Sequence, residues 1–200
     1  MNILIAGATG NTGARLVRKL QEDGHDPIAM HRASSDTSVL PDNVTLREAD
    51  LTELPDDVCD GADVVVFAAG AGADTDEDMT RKIDRDGAKR LIDNAAKQHV
   101  RRFVMLSSVG AGDPDPESDL ASYLEAKHEA DEHLKRSGLT YTIVRPVALT
   151  DDDETGNVRL GDEVDPQGKA ARGDVAAIMA RAVSDDSLAG KTFLLETVYR

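Results

Sequence analysis

Apolar and polar residues along the chain follow two kinds of pattern. Short apolar runs predict about seven buried strands, at residues 3–6, 27–30, 44–49, 64–69, 103–106, 141–144 and 192–198. Apolar residues at helical spacing predict helices over residues 14–21, 76–99, 119–137 and 173–183. Gly24 and Gly138 stand where two of these helices should end, because glycine readily adopts the left-handed conformation that closes a helix.

This alternation predicts a doubly wound Rossmann architecture, an α/β fold with a parallel sheet of about seven strands and helices on both faces. No internal repeat or low-complexity linker divides the chain, so we expect a single domain over residues 1–200. The stretch 149–171 is polar and only weakly periodic. Since long irregular segments of compact domains are usually functional, we expect it to be a loop over the active site.

A glycine-rich turn follows the first predicted strand and opens the first helix. It reads Gly7-Ala8-Thr9-Gly10-Asn11-Thr12-Gly13. Glycines at such a turn allow a tight bend, a close approach of the backbone to a pyrophosphate, and close packing of helix on strand. The helix N-terminus directs its free N–H groups at the anion. The turn therefore predicts a bound nicotinamide dinucleotide, with Gly7, Thr9, Gly10, Asn11, Thr12 and Gly13 around its pyrophosphate.

The end of the second predicted strand indicates which dinucleotide is bound. Proteins that bind NAD usually have an acidic residue there for the ribose hydroxyls, whereas this chain has His31 and Arg32. A guanidinium can bind a 2′-phosphate bidentately, so Arg32 favours NADP, with NAD as a possibility. The alternative is that Arg32 is merely solvent-exposed and that Asp36 is the ribose partner.

Two further strand ends are placed to complete the cofactor site. Asp50 and Leu51 follow the third strand, and we expect them to bracket the adenine. The small residues Ala68, Ala69 and Gly70 follow the fourth strand and leave room for the adjacent ribose. Both positions lie at the carboxyl edge of the predicted sheet, where such folds bind ligands.

A candidate catalytic group lies farther along the chain. Tyr123 and Lys127 are four residues apart on a predicted helix and therefore share one face. An ammonium near a phenol favours the phenolate, so Lys127 would make Tyr123 a better general acid and base. Ser108, at the end of the fifth strand, could orient a substrate carbonyl.

With these residues the chain resembles the short-chain dehydrogenase/reductase (SDR) family, in its small atypical branch. That branch includes flavin/biliverdin-IXβ reductases, NmrA-like sensor proteins and many NAD(P)-binding epimerase-like proteins. The matching segments are the glycine turn, Asp50-Leu51, Ala68-Ala69-Gly70, Ser107-Ser108, Tyr123 with Lys127, Ser137-Gly138-Leu139 through Tyr141, Arg145-Pro146, and Gly173-Asp174-Val175-Ala176.

The resemblance implies roles for individual residues. Ser108, Tyr123 and Lys127 look like the catalytic trio, and Lys127 would also contact the nicotinamide ribose. Backbone around Pro146 and Val147 would face the nicotinamide amide. These roles imply a reductase in which hydride comes from the cofactor and the proton comes from Tyr123.

Two departures from the family pattern bear on the reaction. Asp84 stands where related enzymes often have an asparagine, and we do not expect the extra C-terminal substrate domain of sugar-nucleotide epimerases. We expect an NADP-dependent oxidoreductase that reduces a small carbonyl or conjugated substrate. The alternatives are a redox sensor that binds NAD(P) without turnover, and an epimerase or dehydratase of a nucleotide sugar.

Charge and composition narrow the partners. A net charge of −15 disfavours nucleic acid and anionic membranes, which leaves a small-molecule substrate. The dispersed aspartates resemble those of proteins from salt-loving archaea, whereas an ordinary acidic cytosolic protein is the alternative. Nothing at the amino end looks like a signal peptide, so we expect a cytoplasmic protein. We expect it to be a monomer or a homodimer.

A metal site is not expected. His128 and His133 are five residues apart and would splay around a helix, so they do not form a zinc-binding pair. Cys59 is the only cysteine and has no evident histidine partner, so we interpret it as a small apolar residue of the core.

Overall fold

The computed structural model describes residues 1–70 and 77–199 of the chain. Its strands are β1 Asn2–Ala6, β2 Asp26–His31, β3 Thr45–Glu48, β4 Val64–Phe67, β5 Arg102–Leu106, β6 Thr140–Pro146, β7 Ala148–Thr150, β8 Val158–Leu160, β9 Lys169–Ala171 and β10 Lys191–Thr197. Its helices are α1 Asn11–Glu22, α2 Glu77–Thr80, α3 Ala88–Lys97, α4 Ala121–Arg136 and α5 Arg172–Ala182. Within these described ranges, no helix is both long and apolar enough to cross a membrane.

The main sheet has eight strands in the order β3-β2-β1-β4-β5-β6-β10-β8. All neighbours pair in parallel except β8, which runs antiparallel to β10. The doubly wound prediction is therefore confirmed, and the strand order reverses between β1 and β4, where such folds bind ligands. About seven strands were predicted, and β8 is the additional one, which lies within the stretch predicted as a loop.

Helices cover both faces of the sheet. Leu16 of α1 and Met179 of α5 belong to one buried cluster, and Leu91 of α3 and Leu134 of α4 belong to the other. Each of these side chains is fully buried, which stabilises the fold by roughly 1.5–3 kcal/mol apiece. The central strands contribute to both clusters, which explains their continuous apolar runs.

The long helix predicted over residues 76–99 is not uniform. Residue 76 lies outside the described residues, α2 and α3 form the ends, and the seven residues Arg81–Gly87 between them are π-helical. A π turn is wider than an α turn and often marks a functional site, because it re-aims the side chains that follow. Asp84 lies at its centre and is fully buried.

The stretch 149–171 contains regular structure. β7 and β9 pair in parallel as a separate two-stranded sheet, and β8 joins the main sheet. Asp174 of α5 holds the segment between β7 and β8 in place: its carboxylate accepts the N–H groups of Thr155 and Gly156 at 2.8 and 2.9 Å. The same carboxylate accepts the hydroxyl of Thr197 in β10 at 2.7 Å. Asp174 therefore connects this stretch to the last strand of the sheet.

Candidate functional site

The glycine turn packs closely against the neighbouring strand end. Gly7 has a φ of +82°, and a Cβ atom there would lie 2.5 Å from the backbone nitrogen of Ala69. A Cβ atom at Gly13 would lie 2.0 Å from the carbonyl oxygen of Gly7. Only glycine fits at both positions, so the turn brings the start of α1 directly onto the ends of β1 and β4.

The N-terminus of α1 offers backbone donors to an anion. Gly10 precedes the helix in an extended conformation, and no side chain caps the first turn. The first turn also carries no acidic residue. N–H groups in a first helical turn lack partners within the helix, so Asn11, Thr12 and Gly13 present a site that suits a pyrophosphate.

Two cavities meet at this turn. The smaller has a volume of about 330 Å³ and is lined by Gly7, Thr9, Gly10, Met30, His31, Arg32, Ser35, Ala49, Leu51, Ala68, Ala69, Gly70, Met79 and Ile83. The larger, of about 660 Å³, shares Gly10, Ala68, Ala69 and Gly70 with it and extends to Tyr123 and Lys127. Two lobes joined over a glycine turn fit the two halves of a dinucleotide, with its pyrophosphate between them.

The smaller cavity contains most of the residues predicted for the adenosine half. Arg32 is exposed at its wall, and the sequence analysis missed Ser35, whose hydroxyl accepts the Arg32 N–H at 3.1 Å. The signal available for Ser35 was a hydroxyl three residues beyond Arg32. Asp36, the alternative ribose partner, instead caps a short 3-10 turn by accepting the Ser38 N–H at 2.9 Å.

Asp50 and Leu51 are placed differently from each other. Leu51 is buried and lines the smaller cavity, as predicted. Asp50 is absent from that wall, and its carboxylate accepts the N–H and hydroxyl of Thr52 at 2.8 and 2.7 Å. These hydrogen bonds to Thr52 lower the pKa of Asp50. The structure thus gives Asp50 a turn-stabilising role, and its contact with adenine stays a prediction.

Tyr123 and Lys127 lie side by side on α4 in the wall of the larger cavity. The Lys127 ammonium is 5.7 Å from the centre of the Tyr123 ring and 2.9 Å from an Asp84 carboxylate oxygen. Burial works to lower the pKa of Lys127, but the attraction and the hydrogen bond of the Asp84 carboxylate outweigh burial and raise it. Lys127 is therefore a charged and fixed group next to Tyr123.

The serine that reaches this cavity is Ser107. Ser107 is buried and lines the larger cavity, whereas Ser108 is half-buried and does not line it. The Ser107 hydroxyl donates to an oxygen of Asp131 at 2.8 Å, and Arg145 donates two N–H groups to the same oxygen at 2.9 and 3.0 Å. Burial raises the pKa of Asp131, although Arg145 opposes this effect. The role predicted for Ser108 stays a prediction, and Ser107, which lines the cavity, could take it only by shifting its hydroxyl proton from Asp131 to a substrate oxygen.

Pro146 and Val147 are not brought to either cavity. The Pro146 carbonyl accepts the Val109 N–H at 2.9 Å, and the Val147 N–H donates to Leu195 at 3.0 Å. Both groups therefore serve the backbone network at the end of β6, and their contact with a nicotinamide stays a prediction.

The predicted active-site loop reaches the larger cavity through its first residue. Leu149 lines that cavity, and Arg172, directly after the stretch, lines it as well. Residues 151–154 instead pack beside α1 and α5. Lys19 of α1, for example, pairs with Glu154 at 3.2 Å. The stretch therefore frames one end of the cavity.

Cys59 and the two histidines of α4 are placed away from this chemistry. Cys59 is buried, and burial raises the pKa of its thiol to about 12, which makes it unreactive at neutral pH. His128 Nδ1 lies 2.8 Å from the Ala111 carbonyl oxygen, and His133 pairs with Asp93 at 2.6 Å. Among residues 1–70 and 77–199, no three His, Cys, Asp or Glu side chains come together as a metal site.

Comparison with known proteins agrees with this geometry. The profile of a family described as NAD(P)H-binding matches residues 7–186. The chain is 33% identical over 201 residues to the uncharacterized sugar epimerase YhfK of Bacillus subtilis (strain 168), and the match covers 96% of this chain and 92% of that protein. A Bacillus halodurans structure, described as a candidate NAD-dependent epimerase/dehydratase, superposes with a TM-score of 0.93 at 38% identity, covering 99% of this chain and 94% of that one. The oxidoreductase ylbE from Lactococcus lactis gives a TM-score of 0.86 at 29% identity, covering 99% and 91%.

Proposed function

The chain belongs to the family of NAD(P)H-binding proteins, and on this basis we propose that it is an NADP-dependent reductase of a small carbonyl or conjugated substrate. One observation carries the proposal. Tyr123 and Lys127 lie together in the wall of the cavity that begins at the glycine turn. A proton donor beside the nicotinamide end of the site is what carbonyl reduction requires. The relative ylbE, described as an oxidoreductase, supports the same class.

The preference for NADP rests on the adenosine end of the site. Arg32 and Ser35 line the smaller cavity together, and a guanidinium with a nearby hydroxyl suits a 2′-phosphate. Asp36 is held by Ser38, which favours Arg32 over Asp36 as the group that meets the ribose. NADPH should therefore bind more tightly than NADH, and the opposite order in a calorimetric titration would refute the preference.

The chain's own residues supply the proton side of the reaction. When bound, the cofactor supplies the hydride, which adds to the electrophilic carbon of the substrate. Tyr123 donates its phenolic proton to the substrate oxygen as negative charge develops there. The hydroxyl of Ser108 holds that oxygen in position, or the hydroxyl of Ser107 does so after it releases Asp131 and donates to the substrate instead. Together the hydride and the proton convert a carbonyl into an alcohol.

Lys127 keeps a positive charge beside Tyr123 although the side chain is only 3% exposed. Asp84 makes this possible, because a buried ammonium without a counter-charge would lose its proton or destabilise the fold. The pair as a whole is neutral, so its field at Tyr123 is that of a short dipole. Lys127 therefore stabilises the phenolate less than a lone ammonium would, and its fixed position is the larger contribution.

Replacing Tyr123 by phenylalanine tests the proposal. NADPH oxidation is followed at 340 nm with aldehydes, quinones and flavins, in dilute buffer and in molar salt. Removing a general acid should lower kcat about 100-fold or more while the Kd for NADPH stays within about twofold. Tyr141→Phe is the matched control, because Tyr141 lies in β6, outside the residues that line either cavity. A Tyr123→Phe protein with the native rate would refute the assignment of the acid.

Two other functions predict different results in the same assays. A sensor would bind NADPH and reduce none of the substrates. An epimerase or dehydratase of a nucleotide sugar, which the names of two relatives favour, would convert its substrate with no net oxidation of NADPH. Its product would appear only when a nucleotide sugar is supplied and analysed by chromatography.

A further inference from the structure

Charge around the larger cavity singles out one side chain. Among the described residues that line it, the cations are Lys127 and Arg172. Lys127 is committed to Asp84, since both side chains are buried. Arg172 pairs with Asp151 at 2.9 Å, but the Asp151 side chain is 70% exposed. Water and salt screen such an exposed pair, so Arg172 can exchange this partner for another anion.

Arg172 lies next to the glycine turn although it is far away in sequence. A chain of three contacts connects them. Arg15 of α1 donates to the Asn11 carbonyl at 2.8 Å and to the Asp151 carbonyl at 2.7 Å. The Asp151 carboxylate in turn holds Arg172. Gly10 and Asn11, at the start of α1, line the same cavity as Arg172.

The backbone beside Arg172 is fixed by close packing. The Gly173 N–H donates to the Asp152 carbonyl at 3.1 Å. A Cβ atom at Gly173 would lie 2.1 Å from the backbone nitrogen of Glu154, so only glycine permits this approach. The start of α5 and the segment that carries Asp151 are thus held against each other, and the guanidinium of Arg172 is held at the cavity wall.

We propose that Arg172 binds the pyrophosphate of the dinucleotide, exchanging its ion pair with Asp151 for phosphate oxygens. The glycine turn itself offers only backbone N–H groups and neutral side chains, while a chain of net charge −15 repels an anionic cofactor. A guanidinium supplies the missing positive charge and can bind two phosphate oxygens at once. The proposal rests on dinucleotide binding, and it is independent of the hydride transfer and of the NADP preference.

Calorimetry on the full chain tests the proposal, with Arg172→Gln as the variant and Arg181→Gln as the matched control. Arg181 lies on the same helix, is 57% exposed and pairs with Asp185, so its loss changes the net charge equally. The ligands are NADPH, NADH and adenosine 2′-monophosphate, which has no pyrophosphate. Arg172→Gln should raise the Kd for NADPH and for NADH alike, by about tenfold. The Kd for adenosine 2′-monophosphate should stay within about twofold, as should every Kd of the control.

An unchanged Kd for NADPH in Arg172→Gln would overturn the proposal. If the KM then rose only for substrates that carry a carboxylate, Arg172 would bind the substrate and not the pyrophosphate. An equal increase for all three ligands would also overturn it, because that result indicates a general structural or electrostatic effect. Should Arg172→Gln fold poorly, Arg172→Lys keeps the charge but loses the bidentate geometry, and an increase of about threefold is expected. A native chain that bound no dinucleotide at all would instead contradict the family function.

Discussion

Replacing Asp84 by asparagine should destabilise the protein by about 3–5 kcal/mol at neutral pH. The Lys127 and Asp84 side chains are 3% and 0% exposed, and their charged atoms lie 2.9 Å apart. Asparagine keeps the shape of the side chain but leaves the ammonium buried without a counter-charge. The carbonyls of Leu106 and Ala69, at 3.3 and 3.5 Å, remain as acceptors and supply only partial compensation.

The pH dependence of this loss is a second measurable consequence. In the native chain, burial works to lower the pKa of Lys127, but the attraction of Asp84 raises it above the ordinary value of 10.5. The stabilisation from Lys127 is therefore fully present below pH 10.5 and is lost as the pH rises through the higher folded-state pKa. Without Asp84, burial should outweigh the more distant attraction of Asp131, and the folded-state pKa of Lys127 should fall below its ordinary value. The variant then pays the cost of a buried charge below the lowered folded-state pKa, and this cost is lost as the pH rises from there toward the unfolded-state pKa. The difference in unfolding free energy between native protein and variant should therefore narrow from about pH 7 to about pH 10.

Urea denaturation at both pH values, followed by circular dichroism at fixed salt, measures this gap. Asp93→Asn is the control, since Asp93 is 66% exposed in its pair with His133 and should cost less than about 1 kcal/mol. The double variant Asp84→Asn with Lys127→Met removes both charges and should recover most of the lost stability. A loss below about 1 kcal/mol for Asp84→Asn, or a gap that does not narrow, would refute the reasoning.

Two further predictions concern the serines and the surface charge. Ser107→Ala should lower the kcat of reduction by about tenfold or more, while Ser108→Ala should change it by less than about threefold. Steady-state kinetics measure both values, and the reverse order would show that Ser108 orients the substrate. Transfer from molar salt to dilute buffer should lower Tm by about 10 °C, because the screening length rises from about 3 Å toward 30 Å around a net charge of −15. A Tm that does not change with salt would contradict the halophilic interpretation.

The fold could be predicted because the residue patterns that specify its strands and helices lie within short segments of the chain. The buried strands are continuous apolar runs, and the helices between them show the spacing of amphipathic segments. The glycine turn was recognisable for the same reason, since strand, turn and helix are adjacent in the chain. Gly7 and Gly13 are needed for packing contacts that form within a few residues of the turn or against its neighbouring strand.

The positions of the remaining site residues depend on contacts between residues that are distant in the sequence. Neighbours in an extended strand point to opposite sides, so the choice between Ser107 and Ser108 depends on where β5 ends and what it meets. Asp84, which pairs with Lys127, lies in a π-helical segment, and α-helical spacing in the sequence does not indicate such a segment. Arg172 reached the cavity through the packing of α5 against α1. These positions are set by tertiary structure rather than by local pattern.

The antiparallel strand β8 has a consequence for the order in which the protein assembles. Among the described residues, its neighbour in the main sheet is β10, which is synthesised about thirty residues later and lies between β6 and β8. The hydroxyl of Thr197 in β10 also completes the hydrogen bonds of Asp174 that hold the segment before β8. During synthesis, the stretch that frames one end of the larger cavity therefore has to wait for the carboxyl-terminal strand. The segment at that end of the cavity therefore gains its last hydrogen bonds only after β10 has been synthesised.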